Sequence, residues 1–321
     1  MVAHPWSGGN QRGLALVQAD LLGQGDSIRV AYTNTDGSNE VNVAYALPVN
    51  AHNGTFRVRY DRTWSQVIEP PFAELDIRGN LQELDLSFRQ PVILTPEREV
   101  ALGVGVSHQA SETFILGIPF PLSPGADEQG HTRLLVVNCF QEWTQRGQDS
   151  VFAARSELSV GLGVLDATLQ ETPPDGQFIV WRGQSQWVLQ IRPDTLVLLR
   201  SDLQLANRPL VPLEQYGLGG LESVRGYRQD ALLTDNGAFA SAELRVPIYR
   251  TTHGRGLLQW TPFLEVGRAW NSGGRANPNP NFLAAVGMGV RWQWSDRVLV
   301  RLESGDSLGG ARHPVDPNPP G

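Results

Sequence analysis

The strongest constraint on this chain is a period of two. Apolar and polar residues alternate along segment after segment, and the 3.6-residue period of an amphipathic helix is nearly absent. Ile28, Val30 and Tyr32 alternate with Arg29, Ala31 and Thr33, and Val41, Val43, Tyr45 and Leu47 alternate with Asn42, Ala44 and Ala46. Phe56, Val58 and Tyr60 oppose Arg57 and Arg59, and Leu84, Leu86 and Phe88 oppose Asp85, Ser87 and Arg89. Further on, Leu199, Leu203 and Leu205 oppose Arg200, Asp202 and Gln204. Leu244, Val246 and Ile248 oppose Glu243, Arg245 and Pro247, and Val286, Met288, Val290 and Trp292 oppose Gly287, Gly289 and Arg291. Successive side chains of a strand point to opposite faces, so each segment reads as a strand with one apolar and one polar face.

The pattern predicts about fourteen strands, at 11–20, 26–35, 39–48, 54–61, 80–90, 98–109, 131–142, 150–163, 176–190, 194–205, 237–249, 257–270, 281–293 and 296–303. Most are longer than the roughly 5–6 residues of a globular strand and match the roughly 9–11 that a tilted strand needs to cross a bilayer. The connections sort by length. From the fourth strand onward, long ones (62–79, 110–130, 164–175, 206–236) alternate with short ones (91–97, 143–149, 191–193, 250–256). Membrane barrels have this asymmetry, with short periplasmic turns and long outer loops. It predicts that the connections holding Pro70, Pro124, Pro173 and Arg225 share one rim, and those holding His52, Pro96, Pro193 and His253 the other.

The fold class read from these features is all-β, an antiparallel outer-membrane β-barrel. Its lumen is expected to receive Arg29, Arg57, Arg59, Asp85, Arg89, Arg200, Asp202, Glu243 and Arg245, with Leu84, Leu86, Val286 and Val290 facing lipid. Tyr60, Trp143, Trp187, Trp270, Trp292 and Trp294 lie near strand ends, as interfacial girdles require. The same pattern also fits a soluble β-sandwich binding module whose apolar faces share a core. Dependence on detergent separates the two.

Composition narrows the function. A net charge of −7 and no basic cluster argue against nucleic acid as a partner. The single cysteine, Cys139, leaves no intramolecular disulfide and no cysteine zinc site, and reads as a small buried or lipid-facing side chain. The six histidines, at 4, 52, 108, 131, 253 and 313, do not recur at ligand spacing. No GxSxG or HExxH is present, and Gly217–Gly220 is followed by neither Lys-Ser nor a helical pattern. No enzyme activity, metal or cofactor is therefore expected. No apolar run approaches the roughly 18 residues of a membrane helix. The first residues, Met1-Val2-Ala3-His4-Pro5, lack a basic segment and an apolar run of signal type, so for an outer-membrane protein either a signal is expected to have been removed or the native start to be missing.

One stretch goes further: Leu218-Gly219-Gly220-Leu221-Glu222-Ser223-Val224-Arg225-Gly226-Tyr227-Arg228, inside the longest connection. It resembles the VRGY/F motif of the outer-membrane superfamily that contains the two-partner secretion transporters (TpsB, the ShlB/FhaC/HecB haemolysin-activator family) and the barrel-assembly factors. The flanking Arg208-Pro209-Leu210, Gln215-Tyr216-Gly217 and Asp235-Asn236-Gly237 resemble the transporters, with phrasing closest to cyanobacterial members. A second motif, Phe263-Leu264-Glu265-Val266-Gly267, is similar to the superfamily's FxDxG, with Glu for Asp. By period two, Phe263, Glu265 and Gly267 share a face.

The resemblance implies that the loop with Val224, Arg225, Gly226 and Tyr227 folds into the lumen and that Arg225 pairs with Glu265. It implies a monomeric pore in the outer membrane of a Gram-negative-type bacterium, in contact with outer-membrane lipid, that exports an unfolded exoprotein partner. An assembly factor that inserts other barrels is the alternative. Family members have POTRA modules before a barrel of sixteen strands and end on a strand with a terminal aromatic. On that pattern residues 1–10 are expected to be a loop remnant, 11–303 the barrel and 304–321 a disordered tail outside the family, so that this chain is the barrel part alone with its closing strands missing.

Overall fold

In the computed structural model, residues 11–68, 70–251, 256–295 and 298–308 are described. The expected piece 1–10, residues 309–321 of the expected tail 304–321, and His253 lie outside them. The strands in chain order are β1 (Gln11–Ala19), β2 (Ser27–Thr35), β3 (Ser38–Pro48), β4 (Thr55–Gln66), β5 (Arg78–Leu94), β6 (Arg98–Ile115), β7 (Ile118–Pro119), β8 (His131–Arg146), β9 (Ser150–Leu162) and β10 (Phe178–Arg192). They continue with β11 (Thr195–Ala206), β12 (Tyr216–Leu218), β13 (Leu232–Thr234), β14 (Asn236–Arg250), β15 (Leu257–Trp260), β16 (Phe263–Trp270), β17 (Phe282–Ser295) and β18 (Val298–Ser307). Among the described residues no helix is long and apolar enough to cross a membrane.

All but β12 and β13 join one antiparallel meander in which each long strand pairs with its neighbours in sequence. β15 and β16 are two halves of a single wall strand between β14 and β17. They part at Thr261-Pro262, where proline has no N–H to give the ladder; Thr261 and Gly289 exchange both backbone bonds there and keep the line intact. β7 is a two-residue spur folded back on β6 by Leu116 and Gly117, at φ 52° and 75°. Among the described residues β1 and β18 are each paired along one edge.

The central strands overrun the sequence reading. β4 reaches Gln66 rather than 61, β5 spans 78–94 rather than 80–90, β6 reaches Ile115 rather than 109, and β8 reaches Arg146 rather than 142. The cause is physical. Beyond the apolar band both faces meet water, so the hydrophobic period fades while backbone pairing continues. β18 likewise continues to Ser307, with residues 304–307 paired to 285–288.

A meander of antiparallel strands puts alternate connections at opposite ends. The long connections after β4, β6, β9 and β11 therefore share one rim. Register fixes the faces as well. Arg29, Ala44, Arg59 and Asp85 lie in one cross-strand row, and Gln186, Arg200 and Ser241 in another. The sheet curls around the connection 207–235: Glu214 of this loop touches Gln109 of β6 and Arg182 of β10, while Arg225 touches Glu243, Glu265 and Glu303 of β14, β16 and β18.

The inner face is not uniformly polar. Leu134, Val136, Phe178 and Val180 form one apolar patch, covered by Leu210 and Val211 of the loop. Phe239, Ala269, Leu283 and Ala285 form another, covered by Leu218 and Val224. Burying each of these four loop side chains contributes about 1.5–3 kcal/mol.

Candidate functional site

The loop tip is held by one arginine. Gly219, Gly220 and Ser223 close a tight turn in which the Gly219 N–H donates to Ser223 Oγ at 2.8 Å and the Gly220 N–H donates to the Val224 carbonyl at 3.2 Å. The turn presents Arg225 to the wall. Its backbone N–H donates to Glu265 Oε2 at 2.8 Å, its Nε donates to Glu265 Oε1 at 2.8 Å, and Nη2 lies 2.7 Å from the same oxygen. Both carboxylate oxygens of Glu265 are thus engaged by one residue.

Two further carboxylates complete the ring. Arg225 Nη1 donates to Glu303 Oε2 at 2.9 Å and to Glu243 Oε2 at 3.3 Å. Arg245 then binds Glu243 at 2.8 Å, and Arg301 binds Glu303 at 2.5 Å. The cluster is charge-balanced, with arginines 225, 245 and 301 against glutamates 243, 265 and 303. Its centre is also dry: Arg225 is 8 % exposed and Glu265 is 2 % exposed, while Arg301 lies half-exposed at the rim. The guanidinium carbon stands 3.4 Å from the centre of the Phe263 ring, a cation–π seat beside the acids.

The motif glycines have steric roles. Gly226 sits at φ +87°, and a Cβ there would come 2.8 Å from the Gly305 carbonyl oxygen. Gly267 makes room for Leu218, whose Cδ1 would lie 2.5 Å from a Cβ. Tyr227 donates its hydroxyl to the Ala284 carbonyl at 3.2 Å, and its ring packs on the second apolar patch.

The other expected lumen residues fall into three places. Glu243 and Arg245 belong to the tip cluster. Arg57, Arg59, Asp85 and Arg89 line a cavity of about 540 Å3 beside the loop, along the wall from β4 to β10. There Arg59 binds Asp85 and Glu83, Arg89 binds Glu99 and Glu142, and Arg155 binds Glu142 and Glu157. Asp61, Glu83 and Asp85 bring ligand oxygens within 4.8 Å of one another, and the guanidinium of Arg59 lies against all three carboxylates. Arg200 donates to the Glu222 carbonyl of the loop at 3.0 Å, and Asp202 pairs across the sheet with Phe239, half-buried.

Sequence reading did not single out Glu303 or Arg301, although the alternation of Arg301 and Glu303 with Val300 and Leu302 carries the signal. It also missed the base of the loop. Asp235, fully buried, accepts from the N–H of Leu210 and of Ser272 at 2.8 Å each, and Asn236 Oδ1 accepts from the Ala206 N–H at 2.8 Å. These two residues knot both stems of the loop to the connection after β16.

The curled antiparallel wall and the inward-folded loop define a class: a barrel-type sheet whose lumen holds its own longest connection. The chain belongs to the haemolysin secretion/activation protein ShlB/FhaC/HecB family, whose model matches residues 6–292. Its fold is shared with CdiB from Escherichia coli, at TM-score 0.78 and 17% identity, over 95% of this chain and 56% of that one. CdiB from Acinetobacter baumannii follows at TM-score 0.72 and 18% identity, over 93% of this chain and 53% of that one. BamA from Haemophilus ducreyi lacking POTRA domains 1–3 shares the fold at TM-score 0.63 and 13% identity, over 94% of this chain and 64% of that one. The chain therefore spans little more than half the length of the CdiB structures. No curated protein matches the sequence.

Proposed function

We propose that this chain forms the pore of an outer-membrane transporter that passes a secreted exoprotein in unfolded form across the outer membrane of a Gram-negative-type bacterium. Family membership supports a transport or assembly role, and one structural observation carries the finer reading. The longest loop is folded inward and tethered by Arg225, and beside it lies a charged cavity of about 540 Å3. A wall of ion pairs and hydrogen-bonding groups lets an unfolded chain slide without sticking to an apolar surface. The work is guidance through a pore, with lipid outside and polypeptide inside, and it calls for no bond-making group, metal or cofactor. A single copy supplies all the residues of the tip cluster, which fits a monomer. The assembly-factor reading shares the fold seen in BamA, and the chemistry of the cavity favours a passing chain over it.

The test is export. The whole protein, expressed with a large secreted protein encoded beside it, should release that protein to the medium, and deleting the transporter should retain it. Export that persists after the deletion, together with loss of other barrels from the outer membrane of the deletion strain, points to the assembly reading.

A further inference from the structure

We propose that Glu214 and Arg182 form a second latch on the loop, opposite in polarity to the first, which fixes the loop limb that walls the cavity. The inference deepens the transport reading above and rests on it for its meaning, although the latch itself can be measured without transport. At the tip the loop supplies a cation to acids on the wall. On the rising limb the loop supplies an acid to a cation on the wall.

Glu214 ends a short 3-10 turn, Pro212–Glu214, begun by a proline whose missing N–H costs nothing there. Its side chain is 5 % exposed, and all its polar reach is taken up by the wall. Arg182 Nη2 donates to Oε2 at 2.5 Å and to the Glu214 carbonyl at 3.3 Å. Gln109 of β6 donates to Oε1 at 3.1 Å, and Gln204 of β11 donates to the Glu214 carbonyl at 2.9 Å. Gln204 also accepts from Arg182 Nε at 2.8 Å, so the arginine is oriented before it meets the loop. Three wall strands thus converge on one loop residue.

The position gives the latch its role. Arg182 and Glu214 both line the cavity that contains Arg59, Arg89 and Arg155. The limb is therefore one wall of the passage, and the pair sets where that wall stands. Leu210 and Val211, just before it, press on Leu134 and Val136 from the same side. Release of the Arg225 tip alone leaves the limb in place. Glu214 is a positioning residue: it acts through the loop and not on the cargo.

Glu214→Gln in the whole protein, reconstituted in vesicles, is the direct test. Breaking a buried pair exposes a loop to local opening, so chymotrypsin cleavage after Tyr216 is expected to quicken roughly tenfold or more, with noisier single-pore conductance. The double exchange Glu214→Arg with Arg182→Glu is expected to bring both readouts back to within about threefold of the parent. Should these variants fail to insert, hydrogen exchange of the parent decides: amides 210–216 are expected to be as protected as amides 223–227. Parent-like cleavage in Glu214→Gln, a double exchange no better than the singles, or fast exchange over 210–216 each overturns the latch. A protein that shows the latch but exports nothing removes the transport reading and leaves the latch standing.

Discussion

Around Arg225 three carboxylates converge in a space nearly closed to water, with side-chain exposures of 9 % for Arg225 and 3 % for Glu265, and only the outer end of the network, Arg301 at 50 %, reaches solvent. Along the cavity wall the same two chemical groups alternate from Arg59 to Arg155, but Arg59 is 45 % exposed and Arg155 is 35 % exposed. The difference is hydration. A buried, multiply bonded pair is costly to break from one side, because it leaves an uncompensated charge behind. A half-wet pair is worth about 0–1 kcal/mol and exchanges partners readily. One network is built to hold, and the other can let go of one ion and take up another. Under the proposed transport reading, this suits a loop that stays and a surface past which a chain moves.

The largest expected effect comes from Arg225→Ala, which strands Glu265 in a dry site, while Glu243 keeps Arg245, at a cost of about 3–5 kcal/mol of loop docking. Hydrogen exchange over residues 222–228 in the inserted protein should rise to that of an exposed loop, and unchanged protection would erase the contrast between the two networks. Charge alone does not restore the tip. Arg225→Lys keeps the cation but loses the fork that grips Glu265 and the flat face over Phe263, so it should recover part of the protection only. Gly226→Ala should cost about 1–2 kcal/mol through the positive φ and the nearby Gly305 carbonyl, visible as a smaller gain in exchange at the same residues. Smallest is Glu142→Gln in the wet ladder. Docking should be unchanged, while pore conductance shifts toward anions because Arg89 and Arg155 lose their shared acid. That shift should fade near 1 M salt, where screening acts within about 3 Å, and a shift that survives salt would place Glu142 among the dry pairs.

What the sequence discloses follows from which forces leave a periodic trace. The strands are legible because one face must be apolar over the width of the band, as in Leu84, Leu86 and Phe88. Their outer ends are not, since at Arg62–Gln66 and Glu112–Ile115 backbone pairing runs on where the apolar alternation has faded. The motif text singles out Arg225, and period two puts Phe263, Glu265 and Gly267 on one face. Glu303 carries no motif, and only its register against Gly289 brings it to the cluster. The base knot at Asp235 and Asn236 was visible as familiar text without a role, because hydrogen bonds to backbone leave no pattern of residue types. Glu214 was silent for the same reason: one acid among 33 acidic residues becomes distinctive only when a fold buries it.

The sole cysteine has a use that lies outside folding and transport. Cys139 sits exposed in the middle of β8, in a cross-strand row with Val104 and Leu158, which are 57 % and 41 % exposed and lie on the outer face. A thiol there makes the unmodified chain its own reporter of what bathes that wall. In vesicles it should resist a charged, membrane-impermeant maleimide and yield to an apolar one dissolved in the bilayer, and brominated acyl chains should quench a fluorophore attached to it. Brisk labelling by the charged reagent would mean that water, not hydrocarbon, covers the outside of the sheet. A single substitution-free labelling reaction thus distinguishes a membrane wall from the face of a soluble sandwich.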